Sequence, residues 1–180
     1  MTAVPNDILA FWLHAGPPKW FKHSAPFDRA IRLKFEPTHF AAARGEYDRW
    51  AETPDGALAL VILLDQFPRN LFRDSAHAFA TDGKARAVAY AAIQASFHRQ
   101  VDPALAQFFV LPFEHSEDLA DQDAGLALAT EMGDAEVLKW MNIHRDIIVR
   151  FGRFPHRNPA LGRATTPAEQ AFLDEGGFAG

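Results

Sequence analysis

The feature that most constrains the fold is the stretch 56–64, GALALVILL, which contains nine residues without a polar side chain. Asp55 precedes this stretch, and Asp65 and Gln66 follow it. A helix that is apolar on all sides must be surrounded by other elements, because none of its faces can be left to water. The stretch is much shorter than the roughly 20 residues that a membrane-spanning helix needs. It therefore predicts a buried central helix over 55–66.

Helix start and stop signals cover most of the remaining chain, and strand patterns are missing. Capping side chains, first-turn prolines and glycines after the last turn mark the boundaries. Besides 55–66, which Pro68 should limit, the predicted helices run from Asn6 or Asp7 to Trp12, from Asp28 to just before Gly45 with an interruption at Pro37, over 84–97 and 104–110, from Ser116 to Met132, over 135–151, and from Thr166 to Leu173. These eight helices predict an all-α fold, with a single domain over 1–180 and the helices stacked as antiparallel hairpins.

The composition excludes several classes of protein and of site. The 180 residues are 48% hydrophobic, which is enough material for a buried core. There is no cysteine, so disulfides, cysteine zinc sites and thiol nucleophiles are excluded. The N-terminal sequence lacks the basic start of a signal peptide, and we therefore expect a cytoplasmic protein with no membrane partner. The net charge of -5 argues against a nucleic-acid partner.

Charge is distributed unevenly toward the C-terminal end. Residues 114–136 contain eight acids and no lysine or arginine, whereas residues 142–163 contain five arginines and one acid. Arginines outnumber lysines thirteen to five in the whole chain. A planar guanidinium group pairs with a carboxylate or phosphate through two parallel hydrogen bonds, which an ammonium group cannot do. Two explanations stay open: the two segments neutralise each other in the fold, or the arginines bind an external anion.

The first polar cluster lies at the end of the predicted central helix. It reads DQFPRN over 65–70, and Arg73 follows. Asp65 is the only charge on the last turn of an apolar element, so it should be partly buried and needs a partner such as Arg69 or Arg73. A structural ion pair explains the cluster as well as a ligand-binding site does. The candidate ligand-binding residues here are Asp65, Arg69, Asn70 and Arg73.

The second polar cluster is LPFEHSED over 111–118, and it supplies candidate acid/base groups. Ser116 is predicted to cap the following helix and not to act as a nucleophile. His115, beside Glu117, is a candidate acid/base group or metal ligand, and a solvated histidine is the simpler alternative. His144 lies on the apolar stripe of a later helix. That position is typical of a hydrogen-bonded core histidine, and an acid/base role is the alternative.

The third polar cluster is RFGRFPHRNPALGR over 150–163. Gly152 and Pro155 end the preceding helix, so the arginines beyond them lie on a loop and not along one helical face. This arrangement suits one compact anion better than a nucleic-acid backbone. Arg150 still lies on the helix, and we expect it to pair with an internal acid. The candidate ligand-binding residues are Arg150, Arg153, Arg157, Asn158 and Arg163, and His156 is a candidate acid/base group.

Four segments of the chain are characteristic enough to suggest a family. They are LLDQFPRNLFR (63–73), FATDGKA (79–85), LPFEHSEDLADQ (111–122) and HRDIIVRFGRFPHRNPALGRATTPAE (144–169). With them, the sequence resembles the bacterial family of uncharacterised proteins known as domain of unknown function 924. The resemblance implies an all-α fold of tetratricopeptide-like helical hairpins and no established reaction. It also implies that the polar residues of the three clusters belong to motifs that the family retains.

The functional hypothesis is that the three clusters converge on one cleft that binds a small anionic molecule. Arginines would hold its phosphate or carboxylate, and His115, Glu117, His144 and His156 are the acid/base groups if the site is catalytic. Arg69, His115 and His156 in particular are predicted to line one cavity, and no cofactor is predicted. A helical scaffold that binds a peptide or protein partner is the first alternative. A metal-dependent hydrolase is the second, although no H-E-x-x-H spacing supports it.

Overall fold

The computed structural model describes residues 3–179, and all the regular structure in that range is helical. The predicted all-α fold is therefore confirmed. The α-helices are α1 (Pro5–Ala15), α2 (Pro17–Trp20), α3 (Ala25–Ala43), α4 (Pro54–Val61), α5 (Phe67–Leu71), α6 (Asp82–Gln94), α7 (Leu111–Glu114), α8 (Leu119–Met132), α9 (Ala135–Phe151) and α10 (Pro167–Asp174). Short 3₁₀ turns join several of them. Within the described range, no helix combines the length and the apolar character needed to cross a membrane.

The chain divides into two compact units. The first contains residues 3–73 and 77–112, and the second contains 74–76 and 113–179. Helices α1 to α6 belong to the first unit, and α8 to α10 belong to the second. The single domain over 1–180 and the tetratricopeptide-like stacking stay predictions.

Helix α4 is the centre of the first unit. It packs against α1 and α6, and every residue from 56 to 68 is buried. Leu58, Ile62 and Leu63 are 0% exposed, which confirms the predicted central helix. The burial follows from the sequence, because a segment with no polar face is stable only when other helices cover all of its sides.

The helical path continues beyond the end that Pro68 was expected to set. Helix α4 leads into a π-helical turn, Ile62–Gln66, in which the amide of Phe67 donates to the first carbonyl of the turn. Pro68 has no N–H to give to the carbonyl of Leu64. That carbonyl accepts the hydroxyl of Thr81 at 2.5 Å instead. The wider turn therefore carries the chain directly into α5.

Several helix predictions in the first unit were wrong in extent: α1 runs to Ala15 and not only to Trp12, and α6 covers Asp82–Gln94 and not 84–97. Two others differ more. Helix α3 begins at Ala25 and runs through Pro37, since the carbonyl that loses its partner belongs to the exposed Leu33 and can be hydrated. The predicted helix over 104–110 is only a 3₁₀ turn, Ala106–Phe109. A helix this short has little stability of its own, so the burial of its side chains decides the local conformation.

The second unit contains a helical hairpin in which the end of α8 and both ends of α9 agree with the prediction. Helices α8 and α9 pack against each other across a turn in which Gly133 has φ 71°. Asp134 caps α9 by accepting from the amides of Glu136 and Val137. The capping prediction for α8 was wrong, because Asp118 and not Ser116 provides the cap.

Leu63→Ala should lower the free energy of unfolding by about 2–5 kcal/mol, because the fully buried site leaves a cavity that its neighbours cannot fill. Equilibrium denaturation measures this loss. Leu33→Ala is the matched control: Leu33 is 78% exposed on α3, and its truncation should change stability by at most about 0.5 kcal/mol. Equal losses for the two variants would contradict the central role of α4.

Candidate functional site

An arginine-lined cleft of about 500 Å³ lies in the first unit. Helix α3 forms one wall, and the end of α5 with the residues after it forms the other; these two helices pack against each other. We call this site the arginine cleft. Its lining residues are Ala25, Asp28, Arg29, Arg32, Asn70, Leu71 and Arg73.

Helical spacing on α3 and the packing of α3 against α5 explain why these side chains meet in the arginine cleft. Asp28 and Arg32 are four residues apart on α3 and therefore lie on one face of that helix. Asn70 lies on the last turn of α5, and Arg73 follows two residues after the helix ends at Leu71; both side chains donate to Asp28. The packing of α3 on α5 brings the two pairs together, so residues distant in sequence share one cleft.

Asp28 organises one side of the arginine cleft. Its Oδ1 accepts from Asn70 Nδ2 at 2.8 Å, and its Oδ2 accepts from Arg73 Nε at 2.8 Å. Nε2 of His23 lies 3.7 Å from the same carboxylate. Partial burial alone would raise the pKa of Asp28, but the hydrogen bonds from Arg73 and Asn70 outweigh it and hold the pKa below its usual value. Asp28 is therefore a fixed anion that orients Arg73 and Asn70.

Two further guanidinium groups, those of Arg29 and Arg32, line the cleft and are not bonded to Asp28. Arg32 donates to Glu36 at 2.7 Å and to the carbonyl of Leu71, which ties α3 to α5. Arg29 is exposed, and it makes no hydrogen bond or ion pair with any residue in the described range. The cleft thus presents one guanidinium whose donors are all uncommitted, beside two that are held in place.

The sequence predictions found two of the five polar residues of this cleft. Asn70 and Arg73 were predicted as ligand-binding residues, whereas Asp28, Arg29 and Arg32 were missed. Alternating charges on an amphipathic helix usually mark a solvated face, so nothing in α3 alone distinguishes these three. The available signal was the grouping of one acid and two arginines within residues 28–32, near the start of α3.

Two other predicted residues of the first cluster lie outside the arginine cleft. Arg69 donates to both carboxylate oxygens of Asp82, at 2.9 and 3.0 Å, and its Nη1 lies 3.3 Å from Oδ1 of the fully buried Asp65. The predicted pairing of Asp65 with Arg69 is therefore present. Arg69 and Asn70 are neighbours in sequence and therefore lie on different sides of α5. The bonds of Arg69 to Asp82 show that it faces α6 and not the cleft. A ligand-binding role for Asp65 and Arg69 stays a prediction.

In the second unit, Glu117 and Arg163 form a two-pronged ion pair. Arg163 Nη1 and Nη2 donate to the two carboxylate oxygens of Glu117 at 2.6 and 2.9 Å, and the amide of Phe154 adds a third bond at 2.8 Å. Partial burial would raise the pKa of Glu117, but these donors lower it overall. Arg163 also donates to the side chain of Asn158, which is fully buried. This network holds the loop after α9 in place.

Arg153 forms a second pair of the same kind. Its Nε and Nη2 donate to the carboxylate of Glu169 at 2.6 and 2.8 Å, and Nη2 also reaches the carbonyl of Ala164. The bonds from Arg153, with the amide of Thr166, strongly lower the pKa of Glu169, and the same pair raises the pKa of Arg153. Thr166 and Glu169 also form the predicted capping box of α10. The guanidinium of Arg153 thus joins the loop to the last helix.

Arg150 and Arg157 lie against aromatic rings. The guanidinium carbon of Arg150 is 4.6 Å from the ring centre of Phe151 and 5.4 Å from that of Phe172. Arg150 forms no ion pair with a described residue, so the predicted internal pairing was wrong. The guanidinium carbon of Arg157 is 4.5 Å from the ring centre of Phe154, and its side chain is buried. Cation–π packing contributes to the position of both arginines.

His144 is a buried histidine of the second unit. It is 4% exposed, its Nδ1 lies 2.9 Å from the carbonyl of Trp140, and the same atom is 3.5 Å from a carboxylate oxygen of Glu114. The ring of Phe178 packs on its ring at 4.4 Å between centres. Burial lowers the pKa of His144 to about 3, so the ring is neutral at physiological pH. These contacts are those of the hydrogen-bonded core histidine that its position on α9 indicated.

The other two histidines of the predicted site lie around His144. The ring of His115 is 6.4 Å from that of His144, and the ring of His156 packs against Phe154 and Phe178 at 5.6 and 5.3 Å. Within residues 3–179, no three histidine, aspartate or glutamate side chains are arranged to hold a metal ion. Since Arg69 belongs to the first unit and His115 and His156 to the second, a shared cavity of the three stays a prediction.

Burial of His144 should make the protein less stable in acid. Its ordinary pKa of 6.5 applies to the unfolded chain, which binds a proton below that pH while the folded protein does not until about pH 3. The free energy of unfolding should therefore fall by about 2 kcal/mol from pH 7 to pH 5 because of this one group. His144→Gln should remove that part of the slope when denaturation is repeated at each pH.

His14→Gln is the control for this experiment, since His14 is an exposed histidine at the end of α1. Its replacement should leave the pH dependence of stability as it is in the wild type. His39, whose pKa burial also lowers, contributes equally in all three proteins. If His144→Gln has the wild-type slope, the ring is solvated and the buried assignment is wrong.

Comparison with known proteins places the chain in a family. The solved structure of the protein of unknown function ATU0120 from Agrobacterium tumefaciens is similar to it, with a TM-score of 0.92 and 48% sequence identity over 95% of this chain and 97% of that one. No curated protein matches the chain closely enough to count as a relative. The family model described as bacterial protein of unknown function, DUF924, matches residues 8–177. The chain therefore belongs to this DUF924 family.

Proposed function

We propose that the protein binds a small anionic molecule in the arginine cleft. The observation that carries this proposal is the guanidinium of Arg29, which lines the cleft beside Arg32 and Arg73 and has no partner within the described residues. A charged group in a concave site with oriented neighbours is the arrangement expected of a binding site, because its ligand meets donors that are already in position. Carboxylate and phosphate are the groups that such donors recognise.

The arginines of 150–163 support an anion site less well. Arg153 and Arg163 each donate two hydrogen bonds to a carboxylate of their own unit, and an external anion would have to displace Glu169 or Glu117. Removing one partner from such a pair leaves the other charge uncompensated, which is costly in a partly buried site. We therefore assign binding to the arginine cleft, where Arg29 provides uncommitted donors beside Arg32. Asn70 and Arg73 of the predicted set line the same cleft, but Arg73 is itself bonded to Asp28 by Nε and Nη2, so it contributes only its remaining donors.

A catalytic role for His115, Glu117, His144 and His156 stays a prediction, and nothing in the arginine cleft requires one. The low pKa of His144 makes it a weak base at neutral pH, which favours a structural role. The peptide-binding or protein-binding scaffold remains the alternative, and it predicts no response to small anions. The cytoplasmic location likewise stays a prediction from the sequence.

Addition of phosphate or of a small carboxylate, at matched ionic strength against chloride, should raise the melting temperature of the wild type. Binding to the folded state alone, at about ten times the dissociation constant, stabilises it by about 1.4 kcal/mol, or about 3–6 °C for a protein of this size. Arg29→Gln should lose most of this response. Arg49→Gln is the matched control, because Arg49 is an exposed arginine of the same unit that does not line the cleft.

The control variant also separates binding from the general stabilisation that phosphate gives to folded proteins by exclusion from their surface. That general effect is equal in Arg29→Gln, Arg49→Gln and the wild type, so only the difference among them counts. If all three respond equally, the cleft does not bind the anion. If Arg157→Gln loses the response while Arg29→Gln keeps it, the anion binds in the second unit and the assignment to the cleft is wrong.

A further inference from the structure

From the cleft's donors and lining we infer that its ligand is a phosphomonoester of a small polar molecule, not a carboxylate and not a nucleotide. This inference rests on the proposed anion site and adds the chemical class of its ligand. Three properties of the arginine cleft lead to it: the number of its uncommitted donors and their presence on both walls, the polarity of its walls, and its volume.

The uncommitted donors exceed what a carboxylate can accept. A guanidinium has five N–H donors; Arg32 and Arg73 each use two of theirs in the bonds described above, and Arg29 uses none. A planar carboxylate accepts about four hydrogen bonds, all near one plane. A phosphoryl group offers three oxygens that point in different directions. Because Arg29 and Arg32 lie on one wall and Arg73 lies on the other, a tetrahedral group can contact both walls at once.

The charge of the cleft is compatible with a phosphoryl dianion. Asp28 is the acidic lining residue, and its carboxylate is already bonded to Arg73 and Asn70. Glu36 pairs with Arg32 but does not line the cleft. A phosphomonoester carries a charge of about -1.5 to -2 at pH 7, which is comparable with the excess of three guanidinium groups over one carboxylate in the lining. The bound anion would thus offset the positive charge of the lining arginines that Asp28 leaves uncompensated.

The walls of the cleft select against a nucleobase or another large apolar group. None of the described residues that line the cleft is aromatic, and Ala25 and Leu71 are the apolar ones among them. Stacking against aromatic rings is a frequent contribution to the binding of a base, and the described lining does not provide it. The volume of about 500 Å³ nevertheless falls within the range of small-molecule sites and exceeds what inorganic phosphate fills. The remainder of the ligand is therefore small and polar, such as a short polyol.

Isothermal titration calorimetry with four probes tests this class: glycerol 3-phosphate, glycerate, inorganic phosphate and adenosine monophosphate. Glycerate is the matched carboxylate, because it presents a similar polyol on a planar anion. Glycerol 3-phosphate should bind at least about tenfold more tightly than glycerate, which corresponds to about one charge-assisted hydrogen bond. It should also bind more tightly than adenosine monophosphate, whose base finds no aromatic ring among the described lining residues. Arg29→Gln should weaken it by about tenfold, and Arg49→Gln should not change it.

The pH dependence of binding provides a second readout. The second ionisation of a phosphomonoester has a pKa near 6, so its affinity should rise between pH 5.5 and pH 7.5, whereas a carboxylate is fully ionised throughout. Asp28 stays ionised in this window because its pKa is lowered, and Glu36 faces Arg32 outside the cleft. His23 is the titratable ring beside Asp28, and His23→Gln removes its contribution from the comparison.

The possible results separate the two proposals. If none of the four probes binds, the proposed anion site itself fails. If glycerate binds as tightly as glycerol 3-phosphate, with no rise in phosphomonoester affinity toward pH 7.5, the anion site stands and the phosphomonoester inference is wrong. If adenosine monophosphate binds most tightly, the polar-ligand class is wrong. If inorganic phosphate binds as tightly as glycerol 3-phosphate, the polar remainder makes no contact and that part of the inference is overturned.

Discussion

The burial of helix α4 is the constraint on which the first unit depends. Because residues 56–64 have no polar side chain, every side of this helix must be covered, and its carbonyls must find partners without water. The π-helical turn that follows meets this demand: Thr81 donates to the carbonyl of Leu64, and His39 lies 2.8 Å from that of Leu63. The turn sets the direction of α5, and α5 brings Asn70 and Arg73 against α3. The geometry of the arginine cleft is thus a consequence of how the buried helix ends.

Carboxylates decide which arginines are available to a ligand. Asp28 orients Arg73, Asp82 holds Arg69, and two glutamates hold Arg153 and Arg163. A guanidinium that spans a carboxylate with two bonds has most of its directional donors used, so it stabilises the fold more than it attracts an anion. Pairs such as Glu117 with Arg163 also join the acidic segment 114–136 to the basic segment 142–163. Mutual neutralisation therefore explains much of the charge asymmetry of the sequence.

The sequence was most informative where local signals acted alone. Asp134 and Gly152 bound α9 as predicted, since a cap and a left-handed glycine determine helix ends without help from the rest of the chain. The extent of α3 and the turn at 106–109 were missed, because hydration of a carbonyl and burial of short segments are tertiary effects. The same distinction applies to the site residues. Arg73 could be predicted because it belongs to a distinctive motif, whereas Arg29 resembles any charged residue on a helix surface until α5 packs beside α3.

The histidines and arginines of the second unit show why residue type alone does not establish a site. His144 has a carboxylate at 3.5 Å and two other histidines nearby, a combination that suggests acid/base chemistry. Its Nδ1, however, lies at hydrogen-bond distance from a helix carbonyl, and Phe178 covers its ring. A neutral ring held in this way contributes shape and a satisfied hydrogen bond, as Arg157 contributes a cation against Phe154. In the arginine cleft, by contrast, Arg29 has no internal partner among the described residues, and an uncommitted charge in a concave site is the better evidence for a ligand.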